Sequence, residues 1–325
     1  MLAGCYSPTG PRAGVLEVRE LPDPTPGPGE VRVRVAVSGV NPTDWKARRP
    51  GGLASVDAKL VVPNQDGAGT IDMVGSGVDP RRIGQRVWLY NAQWRRAHGT
   101  AAQLVALPEE QAVALPGGVS LDLGASLGIP AMTAHRCLFS DGALPPGARV
   151  LVAGGAGAVG HAAIELAVRR GLRVCATVSS AQKARLAARA GAELVVDYRT
   201  EDVGGRIREW APEGVARVVE VDLAANLELD AQVLAQDGAV SAYAGAGGAV
   251  DLPRRLLMSN ARLELVLVYT MPEAAKRAAV EEITAALRDG ALTLLPTHRF
   301  PLADVAAAHD AVEAGAVGKV LLDIP

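Results

Sequence analysis

Residues 31–37 read VRVRVAV, apolar and basic in strict alternation, the two-residue period of a half-buried strand with one wet face. The segment before it carries Pro22, Pro24, Pro26 and Pro28 with glycines between, a loop that cannot be helical. Short apolar runs recur at 70–74, 86–90, 103–106 and 112–115, separated at first by Gly75, Gly77, Pro80 and Gly84. Short strands punctuated by such turns predict a β-barrel or sandwich. Near Ser120 the pattern changes: residues 121–139 lack alternation and predict a helix broken at Pro130. From Arg149 onward, strand-like runs at 150–153, 174–178, 194–198, 218–221, 239–243 and 263–268 alternate with Ala-rich amphipathic stretches such as 181–190. Continuous apolar strands in β–α repeats predict a parallel sheet covered on both faces. A long helix over 273–289 ends at Gly290, and the chain returns to short strands through 318–325.

At 325 residues the chain suits two domains. A hydrophobic fraction of 49% excludes disorder, and a net charge of −2 argues against nucleic-acid binding by bulk charge. Cys5, Cys137 and Cys175 are odd in number, far apart and in no CxxC pair, which argues against a disulfide framework or a structural zinc site and suits a reducing compartment. Residues 1–11 show no basic region followed by an apolar run, and the most apolar stretch, 150–168, is broken by glycines, His161 and Glu165. A cytoplasmic location without a membrane span is expected.

That stretch carries the chemistry. Residues 150–171 read VLVAGGAGAVGHAAIELAVRRG: a buried strand, then Gly155, Gly157 and Gly160 as G-x-G-x-x-G, then a helix at once. This is the context a dinucleotide fingerprint requires. Gly155 is expected at the tight turn, Gly157 under the pyrophosphate and Gly160 where helix meets strand, with the phosphates on free N–H groups at the positive end of the helix. An NAD site places a carboxylate at the end of the next strand. Here Thr177, Val178, Ser179 and Ser180 stand there, then Lys183. Hydroxyls and a cation suit a 2′-phosphate, with Tyr198 and Arg199 at the end of the third strand, so NADP(H) is expected. The blander reading is that Ser179 and Ser180 cap the next helix.

With these motifs on the page, the sequence resembles the medium-chain dehydrogenase/reductases, in particular their zinc-free, zeta-crystallin-like quinone oxidoreductase branch. The resemblance runs through GVNPTDWKAR at 39–48, VPNQDGAGTI at 62–71, GIPAMTAHRCL at 128–138, VLVAGGAGAVG at 150–160, AGAELVVDYR at 190–199 and GKVLLDIP at 318–325. It implies a GroES-like β-barrel catalytic domain over 1–121 and 291–325, a Rossmann domain over 122–290 and an active site in a cleft. The positions of the zinc ligands in metal-dependent members look like Asn41, and Asn64 with Asp66, so no metal is expected. The resemblance also implies cofactor contacts from Asn41, Thr133, Gly157 to Gly160, Ser179, Lys183, Tyr198, Asn226, Tyr243, Ala244, Gly245, Leu267, Val268, Tyr269 and Lys319. A homodimer through Rossmann edge strands is the family habit, and 263–268 is apolar enough to be that edge.

The branch's early active-site tyrosines are replaced here by Thr43, Trp45 and Lys46, while Trp88, Tyr90 and Trp94 fall in a variable segment. Lys46 and Tyr90 are the candidate catalytic residues, as proton donors to a reduced quinone or enone, with a water as the alternative donor. Lys46 reads equally well as a solvated surface lysine. Three functions are carried forward: an NADPH-dependent reductase of quinones or α,β-unsaturated carbonyls, an enoyl reductase of a biosynthetic pathway, and a non-catalytic NADPH-binding protein of the crystallin or RNA-binding kind. The G-x-S-x-G at 124–128 opens a helix without a preceding strand, which argues against a hydrolase elbow. The five histidines are scattered, and His161 reads as a cap near the phosphate turn.

Overall fold

The computed structural model describes residues 1–9, 14–49, 58–245 and 249–325. In chain order its first strands are β1 (Leu2–Cys5), β2 (Glu17–Glu20), β3 (Glu30–Val40), β4 (Asp66–Val74), β5 (Arg86–Leu89), β6 (Leu104–Pro108) and β7 (Ala112–Ala114), with the short helix α1 (Pro42–Ala47) between β3 and β4. Helices α2 (Leu121–Gly124) and α3 (Gly128–Phe139) lead to the alternating series β8 (Arg149–Val152), α4 (Ala158–Arg169), β9 (Arg173–Val178), α5 (Ala181–Arg189), β10 (Leu194–Asp197), α6 (Val203–Trp210), β11 (Val215–Glu220), α7 (Leu223–Val233), β12 (Leu234–Ala242), α8 (Arg254–Met258) and β13 (Arg262–Leu265). After α9 (Glu273–Arg288) come β14 (Thr297–Pro301), α10 (Val305–Glu313) and β15 (Lys319–Asp323).

The chain divides into two compact units, Met1–Ile129 with Leu294–Pro325, and Pro130–Thr293. The first holds a seven-stranded sheet in which β14-β15-β3-β4-β5-β7 run in order and β6 pairs with β3. The alternation of 31–37 is realised literally. Val31, Val33, Val35 and Val37 are buried, while Arg32 and Arg34 on the wet face pair with Asp72 of the neighbouring strand. β15 lies antiparallel to β3 with Val320 opposite Val40. This places Lys319, next in line, beside the chain that leaves β3 at Asn41.

The second unit holds a parallel six-stranded sheet in the order β10-β9-β8-β11-β12-β13. The order reverses between β8 and β11, which is the switch point where doubly wound folds bind nucleotides. Its central strands are mostly apolar because helices cover both faces, with Arg217 on β11 a buried exception.

Three elements differ from the sequence expectation. The break in 121–139 falls at 125–127, not at Pro130, which sits in the first turn of α3 where a missing N–H costs no helical bond. The strand expected over 263–268 stops at Leu265, and Val268–Thr270 form a single tight turn of 3₁₀-helix. Residues 234–238 extend β12 backwards through Asp237, which takes a left-handed φ of 57°.

Candidate functional site

In the Rossmann unit the glycine turn follows β8. The left-handed position is Gly154, φ 68°, rather than Gly155. Gly155 is required for another reason: a Cβ there would lie 2.7 Å from the Ala176 Cβ on β9. Gly160 packs the helix down as expected, since a Cβ would meet the Gly154 carbonyl oxygen at 2.4 Å. Gly157 differs from both. Its Cβ would face open space but for the Gly154 oxygen at 3.4 Å. Gly157 is the N-cap of α4, and the next three N–H groups, of Ala158, Val159 and Gly160, have no acceptor within the helix. Open space over N–H groups at the positive end of a twelve-residue helix suits a diphosphate. His161 does not cap this turn. Its ring bonds Thr293 Oγ1 at 3.1 Å, and Glu165 accepts the Thr293 N–H, so the pair fastens the middle of α4 to the end of the unit.

At the end of β9 the two readings of the serines are divided between them. Ser180 caps α5, its Oγ accepting the Lys183 N–H at 3.3 Å. Ser179 does not cap; its Oγ accepts from Lys183 Nζ at 2.9 Å. Tyr198 follows β10, with its N–H on the Val178 carbonyl and its side chain 54% exposed. Ser179, Lys183 and Tyr198 therefore gather at the ends of two paired strands, with no carboxylate on the last residues of β9. A lysine presented by a serine is the donor set that suits a phosphate monoester.

The end of β11 contains a carboxylate that the sequence reading missed. Glu220 is fully buried, and its Oε1 accepts Asn226 Nδ2 at 2.9 Å. Its carbonyl accepts the Tyr243 N–H at 3.1 Å. Asn226 and Tyr243, expected on separate strand ends, are thus joined by Glu220. Ala244 and Gly245 are exposed beyond them, Val268 and Tyr269 are buried in the turn after β13, Leu267 precedes them, and Thr133 is buried on α3.

In the barrel unit Asn41 and Lys319 meet. Lys319 Nζ donates to Asn41 Oδ1 at 2.7 Å and stands 3.9 Å from Asp66 Oδ2, which accepts Asn41 Nδ2 at 2.7 Å. Asp66 Oδ1 accepts the Ile129 N–H, and Asp44 accepts the Asn41 N–H at 2.7 Å. All four side chains are buried. Burial, reinforced by the Asp66 charge, pushes Asp44 up to about 8; burial, opposed by Lys319 and Asn41, pushes Asp66 up to about 6; burial pulls Lys319 down. Raised carboxyls and a lowered ammonium all act to reduce the charge buried in the cluster.

Asn64, held at φ 77°, bridges to the other side. Its Oδ1 meets His309 Nε2 at 2.9 Å, and its Nδ2 donates to Ser38 Oγ. The positions that resemble a zinc-ligand set therefore surround a lysine ammonium and a histidine–amide pair. Among the described residues no three His, Cys, Asp or Glu side chains are grouped so as to hold a metal ion.

Lys46 projects from α1 into solvent, its Nζ 5.6 Å from the Trp45 ring. Tyr90 is buried, its ring 5.8 Å from that of the fully buried Trp88. Asp44, Glu220 and His309 escaped the sequence reading. Asp44 alone had a local signal, as the third residue of a helix opened by Asn41.

A doubly wound sheet with a glycine turn at its switch point, in a chain that also folds a separate β-barrel, defines the dinucleotide-binding dehydrogenases and reductases as the class. Comparison with known proteins agrees. Residues 27–117 match the alcohol dehydrogenase GroES-like domain, and residues 158–285 match the family described as zinc-binding dehydrogenase. A mycobacterial structure, Rv1454c complexed with NADPH, superposes with a TM-score of 0.84 at 31% identity over 99% of both chains. The quinone oxidoreductase of Lama guanicoe is 29% identical over 89% of this chain and 87% of its own. A phenolphthiocerol/phthiocerol polyketide synthase of Mycobacterium tuberculosis is 30% identical over 90% of this chain, a match spanning 13% of that larger protein. The chain belongs to the medium-chain dehydrogenase/reductase family, in its zinc-independent quinone oxidoreductase branch.

Proposed function

We propose that this protein is an NADPH-dependent reductase that passes hydride to a quinone or an α,β-unsaturated carbonyl without a catalytic metal. One observation carries the choice of coenzyme: Lys183 Nζ rests on Ser179 Oγ at the end of β9, where a carboxylate for NAD would stand. That mycobacterial Rv1454c was solved with NADPH supports the same reading.

When bound, the nicotinamide supplies the hydride. The residues of this chain bind and orient. Ala158, Val159 and Gly160 offer N–H groups to the diphosphate, Ser179, Lys183 and Tyr198 hold the 2′-phosphate, and Asn226, Tyr243 to Gly245 and Leu267 to Tyr269 line the strand ends beyond. Asn41 and Lys319 hold each other in a fixed geometry, and Thr133 is the contact from α3. Of the two proton-donor candidates, Lys46 is the one that reaches solvent, while Tyr90 is walled in beside Trp88.

The decisive experiment follows NADPH and NADH oxidation with quinones, enones and enoyl thioesters as acceptors. Turnover of quinones or enones with a strong NADPH preference is expected. The polyketide synthase likeness favours enoyl thioesters as the second reading, and turnover confined to them would replace the first. NADPH binding without turnover of any acceptor would refute both.

A homodimer through β13 is part of the proposal. β13 is the sheet edge among the described strands, and Leu263 and Leu265 are 42% and 78% exposed along it. No helix among the described residues is long and apolar enough to cross a membrane. A cytoplasmic location is proposed on the cysteine pattern.

A further inference from the structure

Asp230, on α7, is 1% exposed and lies against Glu220 at the end of β11. The hydrogens available to the two carboxyl groups can be counted. Glu220 Oε1 accepts the Asp222 N–H and Asn226 Nδ2, and the Val221 N–H also acts on this carboxyl group. Among the described residues no N–H or hydroxyl reaches Glu220 Oε2 or either oxygen of Asp230. Asp230 nevertheless stands one helical turn beyond Asn226 on α7, on the side of the Asn226 amide that Glu220 holds, and the two carboxyl groups act on each other. Two carboxylates are acceptors only, so a bond between them needs a proton of their own. Burial, then the charge and bond of Glu220, push Asp230 up to about 8, and burial pushes Glu220 up as well.

The surroundings offer no cation in place of that proton. Asp222, at the start of α7, adds a negative charge beside Glu220, and Tyr243, after β12, is a neutral phenol with Cys137 behind it. α6 brings Arg206, Arg208 and Glu209 and α8 brings Arg254 and Arg255, yet among the described residues the charged group that acts on Asp230 is Glu220. Arg217, earlier on β11, is paired with Asp141 and Glu264. The pair also adjoins the coenzyme turn. Val221, next to Glu220, has its Cγ1 3.4 Å from where a Gly154 Cβ would lie, and the Ala153 N–H donates to the Val219 carbonyl at 2.9 Å.

We propose that Asp230 is a positioning residue for coenzyme binding: protonated, it holds Glu220, and through Glu220 it fixes Asn226 and the first turn of α7 beside the glycine turn. Loss of its proton places a second uncompensated negative charge there and loosens both Asn226 and the hold on an anionic coenzyme. The inference rests on the NADPH reading given above, so its two halves are tested by separate measurements.

The proton is tested on the full chain without coenzyme, by infrared difference spectra across a pH titration. At neutral pH the wild type is expected to show protonated-carboxyl intensity from Asp44 and from Asp230, fading as pH rises, and Asp230→Asn is expected to lose the Asp230 share while keeping that of Asp44. A wild type and variant with identical carboxyl bands would overturn the pair. The positioning role is tested by NADPH titration. Wild-type affinity is expected to weaken roughly tenfold between about pH 7 and about pH 9. Asp230→Asn, whose amide supplies a permanent N–H to Glu220, is expected to bind as wild type does at neutral pH and to stay flat above it. Parallel profiles for the two proteins would overturn the positioning role. Failure of the wild type to bind NADPH at any pH would sink the functional reading and the positioning role with it, leaving the infrared band to decide the shared proton.

Discussion

Lys319 and Asn41, 278 residues apart in sequence, are bonded side chain to side chain at 2.7 Å inside the barrel unit. The ammonium is matched by Asp66 at 3.9 Å, and both are shut away from water. Removing one member of a buried pair leaves the other charge uncompensated, which costs about 3–5 kcal/mol. Lys319→Met is therefore expected to lower the thermal midpoint sharply. The double variant Lys319→Met/Asp66→Asn should recover part of that loss. A double variant as unstable as the sum of the two singles would show that the groups do not interact.

Two buried groups in the same unit tilt stability in opposite directions with pH. Burial pulls His309 down to about 3 from its usual 6.5, so the folded state keeps it neutral. Its contribution is present above pH 6.5 and is lost as pH falls toward 3. Asp44 is raised from 3.8 to about 8, so its contribution is present below 3.8 and drains away as pH rises through 8. His309→Gln should flatten the acid limb of a plot of thermal midpoint against pH. Asp44→Asn should flatten the decline between about pH 4 and about pH 8. Unchanged slopes in both variants would refute the assignment.

The glycines of the turn do different work, and alanine separates them. At Gly160 a methyl group collides with the Gly154 carbonyl, so the variant is expected to lose about 1–3 kcal/mol of stability. At Gly157 it enters open space, so the fold should tolerate it within about 1 kcal/mol. The same methyl group would occupy the diphosphate's place and weaken NADPH by at least about 1.4 kcal/mol, a factor of ten. Unfolding curves and coenzyme titrations on the two variants check both halves.

Lys183→Ala removes the cation from the proposed 2′-phosphate position and should cost NADPH about 1.5–3 kcal/mol of binding while leaving NADH nearly unaffected. Equal losses for both coenzymes would mean that the lysine serves the shared part of the molecule.

A charge on the exposed edge should block pairing of two such edges. Leu265→Lys is expected to give monomers in sedimentation velocity where the wild type sediments as a dimer. Leu265 is 78% exposed in the isolated chain, so the thermal midpoint of the monomer should stay put. Wild type and variant sedimenting alike would remove β13 from the interface.

The parts of the fold that could be read beforehand are those written in adjacent residues. The alternation at 31–37 and the mostly apolar strands each report how many faces are buried. The glycine spacing reports backbone collisions within a few residues, though it does not tell that Gly154 takes the left-handed φ while Gly155 is needed for its approach to Ala176. Ser179 and Lys183 were legible because one turn of helix separates them. The polar cluster of Asn41, Asp44, Asp66 and Lys319 was assembled by strand pairing across the chain, and no local pattern records that. Asp230 left a trace that went unread. It occupies a position that helical spacing shares with Leu227 and Ala231, both buried, and a carboxyl on a core face needs a partner.

β15 lies between β14 and β3, although the whole parallel sheet separates it from β3 in chain order. On the ribosome, every strand of the parallel sheet emerges before β15 does. The Rossmann unit can reach its native topology while translation continues, whereas β3 waits with an unzipped flank. That waiting edge is where chaperones, or a neighbouring nascent chain, have their opportunity.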